Sequence, residues 1–336
     1  VVGTGVAGYR AALAVAARGQ RVVQLAKGDP AESNTGYAQG GVAAVLGGGE
    51  DSAELHAKDT IDVGQGLCDE ALVHRVMAAG GDAVRDLMAL GAQFDNDRGD
   101  PELGLEGGHS APRILHARGD RTGAEIRDTL AAAAGNVELI EVWRDAFLVD
   151  LLTDDAGAVR GALVFSRDRL RAIWAGAVVL ATGGYAQIYR ESTNVAGATG
   201  DGIAAAWRAG ARLADLELVQ FHPTTLYLAG VPRLLLKEAI RGEGAHIVDD
   251  KGQRFLSDVL ERGELAPRDE VSQAIMRHLE KPDVGGVFLD LSHLDGMRVA
   301  RRFPGVAESC RAHGLDLAND RIPIRPAAHY SIGGIR

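Results

Sequence analysis

Residues 1–25, VVGTGVAGYRAALAVAARGQRVVQL, read as the end of a strand, a glycine turn, a helix and a second strand. Ala11, Ala12, Leu13, Val15 and Ala16 are strong or apolar helix positions, and Gly19 is placed to stop the helix. Gly3, Gly5 and Gly8 fit a GxGxxG spacing between strand and helix. In such a turn the first two glycines allow a tight bend and close approach of a pyrophosphate, and the third lets helix pack on strand. Phosphate would sit on the free N–H groups of the helix start. The bland alternative is a glycine turn without a ligand. The acidic residue that would hold an NAD ribose at the end of the second strand is missing, since Ala26 and Lys27 stand there.

Outward from this start, residues 177–184, AVVLATGG, read as a buried parallel strand leaving through a double-glycine turn. Residues 53–64, 71–91 and 123–134 carry helical spacing, and residues 143–165 read as two strands joined by a turn at Asp154 to Gly157. After about residue 215 the pattern becomes short strands, polar turns and helices, including RDEVSQAIMRHLEK from Arg268. The fold class is α/β: a Rossmann-like βαβ domain over 1–214, continuing at 332–336, with an inserted α+β capping domain over 215–331.

The 336 residues are enough for about two domains of ~150 residues and a buried cofactor. A formal charge of −10 opposes binding to nucleic acid or anionic lipid over most of the surface. No apolar run approaches the ~18 residues of a membrane span. Cys68 and Cys310 cannot form a disulfide framework, which fits a reducing cytoplasm. No HExxH or paired CxxC occurs, so no metal is expected. Asp95, Asp97 and Glu106 occupy positions one, three and twelve of a calcium-loop frame, but Asp100 replaces the turn glycine and Pro101 follows it. Because the sequence opens on Val1 and Val2, only two residues of a first strand, and has no initiator Met, it is expected to be incomplete at both ends.

The stretch SNTGYAQGG from Ser33 adds hydroxyls, an amide and glycines soon after the second strand. With it, GTGVAG, GGHSAPRILHARGDRTG, ATGGYAQIY, ATGDG, ELVQFHPT, EAIRGEGA, RGELAPRD and PAAHYSIGG occur in one order. Together they resemble the L-aspartate oxidases of the succinate dehydrogenase and fumarate reductase flavoprotein family. The resemblance spans the chain and implies FAD, a capping domain, and a helical C-terminal domain that this sequence lacks. It implies FAD contacts at Gly3, Gly5, Val6, Ala7, Gly8, Lys27, Ser33, Asn34, Thr35, Gly36, Tyr37, Ala38, Gln39, Gly40, Gly41, Ala146, Ala181, Thr182, Gly183, Gly184 and Asp201. Several of these act through backbone groups. The family's later FAD and substrate-arginine segments would begin shortly after Gly333 and Gly334.

The same resemblance assigns carboxylate binding to His222 and His329, places Glu238 beside them and gives proton transfer to Arg268. A lone His is more often a structural hydrogen-bonder, and an Arg–Asp pair at a helix start is usually a cap; motif context reverses those readings. A guanidinium holds its proton at neutral pH, so Arg268 needs help from neighbouring carboxylates, for which Glu264 or Asp269 are candidates. Glu106 would pair with a substrate ammonium, favouring aspartate over succinate; its bland reading is a solvated loop residue. His109 and His116 read as loop or substrate-channel residues.

Two positions depart from the pattern. Asn34 stands where members of membrane complexes attach FAD through His, which implies non-covalent FAD, and Lys237 replaces the usual Thr or Ser. The implied reaction is oxidation of L-aspartate to iminoaspartate, with oxygen or fumarate as electron acceptor and the product feeding quinolinate and NAD synthesis, next to quinolinate synthase. The alternatives are a soluble fumarate reductase or succinate dehydrogenase subunit, and a non-catalytic flavin-binding module.

Overall fold

A computed structural model describes all residues except Gly48, Arg98 and Pro232. The chain forms two compact units, Val1–Gly183 and Gly184–Arg336. This division by packing groups residues 184–214 with the second half, whereas the change of sequence pattern puts the boundary between a cofactor domain, 1–214 with 332–336, and a cap, 215–331, near residue 215.

In the first unit the opening GxGxxG turn sits at a short parallel sheet. Val2 bridges Leu25 on one side and Leu180 on the other, both in parallel, and the strand Val22–Leu25 pairs in parallel with Ile140–Trp143. The helix Val6–Ala16 buries Tyr9, Ala12 and Ala16, and Tyr9 joins a core with Ile126, Leu130 and Ala134 of the helix Thr122–Gly135. Ser52 and Asp69 cap the helices Ala53–Val63 and Glu70–Ala89 by accepting the Leu55 and Leu72 N–H groups at 3.1 and 3.0 Å. A three-stranded antiparallel sheet follows, made of Ala146–Thr153, Val159–Ser166 and Arg169–Trp174. The third strand lies beyond the two-strand reading of the sequence, which covers residues 143–165.

Residues 177–184 differ from expectation. They make one parallel bridge, at Leu180, and Val179 is exposed. Val2 donates its N–H to Val179 O and accepts the Ala181 N–H, each at 2.8 Å.

The second unit is built on a four-stranded antiparallel sheet in the order Val219–Leu226, Ile322–Ser331, Val287–Asp290, His246–Asp249. Val271 and Ile275 of the helix Arg268–Leu279 enter its core with Leu226, Ile247, Leu289 and Ile324. Pro223 lies in the register shift between His222 and Thr225, where the ladder is broken and a missing N–H costs nothing. Leu213–Ala214 pairs with Gly334–Ile335.

The glycine turn has almost no spare room. A Cβ on Gly8 would lie 2.1 Å from Gly3 O, and one on Gly3, at φ +117°, would lie 2.1 Å from Ala181 O. Gly8→Ala is therefore expected to cost about 3 kcal/mol through forced backbone displacement, read as a lowered urea midpoint with an unchanged slope; a midpoint equal to wild type would refute the tight contact.

Candidate functional site

Two clusters emerge, one in each unit. In the first, the N-terminus of the helix Val6–Ala16 has Gly5 as its extended cap residue, no capping side chain and no acidic residue in its first turn. One of its N–H groups, that of Val6, is held by Thr35 Oγ1 at 3.1 Å. Ser33 Oγ caps the short helix Asn34–Tyr37 through Gly36 N–H, and Gly123 N–H binds Ala38 O, so residues 33–41 are anchored against the helix Thr122–Gly135. Gln39 Oε1 is buried with no hydrogen-bond partner among the described residues. Lys27, exposed, extends its Nζ to 5.4 Å from the Phe147 ring, and Ala146 N–H binds Ala26 O, which brings the strand ends together.

A helix start with no acidic residue in its first turn, a glycine turn packed too closely for a Cβ at Gly3 or Gly8, and a buried amide oxygen with no partner among the described residues fit a dinucleotide with a polar ring system. Gly3, Gly5, Val6, Ala7 and Gly8, with residues 33–41, are the groups that would hold FAD. Thr182 and Gly183, the latter at φ +70°, follow Ala181 beside this turn. Gly184 and Asp201 belong to the second unit, where Asp201 opens the helix Asp201–Arg208 and accepts the Thr199 hydroxyl.

Glu106 lies in the first unit on a loop after Gly104, half exposed. Its carboxylate is 3.7 Å from His116 Nε2. Behind the loop is a network that sequence reading missed. Arg113, with no exposed surface, binds Asp51 at 2.6 Å and Asp59 at 2.5 Å and approaches His109 Nδ1 at 3.2 Å. Burial alone would raise the Asp59 carboxyl, but the Ser110 N–H, Arg113 and the Ser110 hydroxyl outweigh it and hold it at about 2. Asp95 accepts the Arg118 and Gly119 N–H groups at 2.9 and 3.0 Å.

In the second unit the sheet and two helices bring the other four candidates together. Arg268 begins its helix and donates from Nε to Glu238 at 2.6 Å and from Nη1 to Gln220 Oε1 at 2.9 Å. The His222 and His329 rings meet edge to face, with centroids 5.3 Å apart. His222 turns Nδ1 to the Thr224 backbone, and His329 turns Nδ1 to the Thr193 hydroxyl at 2.7 Å. Burial first, and then the positive charge of Arg268, lower His222 well below the usual imidazole range and His329 to about 4, so both rings are neutral near pH 7.

The carboxylate that serves Arg268 is Glu238, not Glu264. Glu264 is engaged by Arg254 at 2.8 Å and by the Ile247 N–H. On the far side of Glu238 stands Arg241, almost fully buried, with Nη2 3.6 Å from Glu238 and Nη1 on Glu264 O at 2.5 Å. Gln220 and Arg241 were not singled out by motif reading, although each lies within two or three residues of a residue that was. Lys237 supplies the cap position of the helix Glu238–Gly242 without a side-chain cap bond.

The family described as "FAD binding domain" matches residues 1–336. The chain belongs to this FAD-binding family. Its relatives include L-aspartate oxidases of Streptomyces coelicolor, 46% identical over 100% of this chain and 59% of that protein, and of Mycobacterium tuberculosis, 46% identical over 100% and 63%. An E. coli quinol fumarate reductase chain superposes with a TM-score of 0.88 at 34% identity, covering 99% of this chain and 60% of that one. The flavoprotein chain thus spans about three-fifths of the length of the relatives it matches, and it is a member of the succinate dehydrogenase and fumarate reductase group with FAD as cofactor. Among the described residues, no helix is long and apolar enough to cross a membrane.

The lowered His329 has a consequence for stability. The unfolded chain takes up this proton near pH 6.5 and the folded flavoprotein only near 4, so stability is full above 6.5 and falls as pH drops towards 4, by at most about 3 kcal/mol. Thermal melts at pH 7 and pH 5 should show a loss that is smaller in His329→Gln; equal losses in both proteins would contradict the buried neutral ring.

Proposed function

We propose that the protein of which this chain is part oxidises L-aspartate to iminoaspartate. The observation that carries this reading is the Arg268–Glu238 ion pair set beside two neutral imidazoles. A four-carbon diacid needs a cation and several neutral donors for its carboxylates, and His222, His329 and Arg268 provide them. The L-aspartate oxidase relatives support the choice of substrate.

FAD, when bound, supplies the two-electron acceptor for such an oxidation. Converting the C2 amine to an imine removes an electron pair, the C2 hydrogen and one nitrogen proton. His222 and His329 orient the carboxylates through their Nε2 atoms. Arg268 neutralises charge at the reacting end, and Glu238, bound to its Nε and backed by Arg241, is the group through which a proton reaches or leaves the guanidinium. The Arg113 network holds the loop on which Glu106 is presented, and Glu106 pairs with the substrate ammonium, a charge absent from succinate.

FAD is held without a covalent bond, since Asn34 offers an amide where a histidyl bond would need an imidazole. Oxygen or fumarate takes the electrons onward, the setting is the cytoplasm, and quinolinate synthase is the fitting consumer of the unstable imine, on the way to NAD. The soluble fumarate reductase alternative differs in the ammonium contact.

Peroxide release from aspartate against succinate tests the substrate. Glu106→Gln should lower aspartate oxidation about tenfold or more through loss of a charge-assisted bond, with fumarate reduction little changed; parallel losses would remove Glu106 from substrate choice. Denaturation of the holoprotein should release flavin intact, and flavin that migrates with the unfolded polypeptide would refute non-covalent binding.

A further inference from the structure

His329 is held by a segment that no motif reading singled out. Ser192 bridges Ala328 in parallel, Ala328 N–H donates to Glu191 O at 2.8 Å, and Thr193 N–H donates to Ala328 O at 3.0 Å. Asn194 Nδ2 donates to the carbonyl of His329 itself at 2.7 Å. The backbone of residues 328 and 329 is thus gripped on both sides of the ring's attachment point. The Thr193 hydroxyl completes the grip, 2.7 Å from His329 Nδ1.

Only one arrangement of protons satisfies both groups well. The Thr193 hydroxyl also lies 3.4 Å from Ala328 O, beyond the ordinary O–H···O range, and that carbonyl already accepts an N–H. If the ring donated from Nδ1 to the hydroxyl oxygen, the hydroxyl proton would be left with that long contact alone. If the hydroxyl donates to Nδ1, its proton is fully used at 2.7 Å. The ring proton then stands on Nε2. The hydrogen bond at one imidazole nitrogen decides which tautomer the other presents.

We propose that Thr193 is a positioning residue that fixes His329 as the neutral, Nε2-protonated tautomer, making the ring a permanent donor to a substrate carboxylate. The opposite tautomer would aim a lone pair at a carboxylate and repel it. The low proton affinity of His329, set by burial and Arg268, agrees, because the ring then cannot gain a donor by charging near pH 7 and depends on its tautomer. This deepens the dicarboxylate reading given above and rests on it for the ligand.

The test uses the FAD-loaded protein with ring-15N-labelled histidine, the His329 signals being identified by their loss in His329→Asn. Wild type without substrate should show Nδ1 as a hydrogen-bonded acceptor and the proton on Nε2; a proton on Nδ1 overturns the proposal before any variant is made. Thr193→Val, which keeps shape and removes the hydroxyl, should give mixed tautomers and raise the KM for aspartate about five- to tenfold, in line with a lost bond to a charged ligand, with a smaller change in kcat. Thr193→Ser should restore both. An unchanged tautomer in Thr193→Val, or a changed tautomer with an unchanged KM, overturns it. A protein with the expected ring state that oxidised no aspartate would count against the substrate assignment and leave Thr193's hold on the ring standing.

Discussion

The chemistry of the second unit depends on where positive charge is allowed to remain. Arg268 is bound by the Glu238 carboxylate and the Gln220 amide oxygen at 2.6 and 2.9 Å. Its charge, added to burial, strips the neighbouring imidazoles of theirs. A site with three permanent cations would repel itself in the absence of ligand and bind a diacid and its oxidised product alike with excessive strength. One guanidinium with two neutral donors grips carboxylates by direction more than by net charge, and direction is what places one particular carbon for reaction.

The first unit depends on a different constraint, close backbone approach. The carbonyl of Gly3 is bound by Gln24 Nε2 at 2.9 Å and faces Gly8 at a distance that excludes a side chain. The turn is therefore held from the strand and from the helix at once, and the first turn of the helix carries no acidic side chain to compete for its N–H groups, of which that of Val6 is bound by Thr35. Rigidity here serves binding, because an anion site made of backbone dipoles works only if those dipoles need no rearrangement when the ligand arrives.

These two constraints differ in how plainly they are written in the amino-acid order. The glycine turn is local: three glycines, a strand and a helix lie within 25 residues, and spacing alone predicts their packing. The long capped helices and the hairpin around Asp154 are legible for the same reason, since Asp154 Oδ1 itself accepts the Ala156 and Ala158 N–H groups that make the turn. The Arg268 cluster is not local, because Gln220, Glu238, Arg268 and His329 are brought together by the sheet and two helices that carry them. Individual residues could be named from motifs, but which carboxylate meets Arg268 could not. Glu264, close in sequence, is turned to Arg254, while Glu238, thirty residues away, makes the pair. The Arg113 network was hidden likewise, since its acids come from a stretch more than fifty residues earlier. A buried arginine has no periodic signature to announce it.

The two histidines show how one fold solves the same problem twice. Each ring commits Nδ1 to protein. His222 does so within its own strand, where the break at Pro223 lets the Thr224 backbone turn back to the ring. His329, near the end of the strand Ile322–Ser331, is itself the extra residue at the other register shift, skipped between Ala328 and Tyr330, and its Nδ1 meets the Thr193 hydroxyl. A backbone contact is insensitive to mutation, whereas a side-chain contact is not. Of the two rings, His329 is accordingly the one whose Nδ1 contact a single substitution, at Thr193, can remove without altering the ring itself.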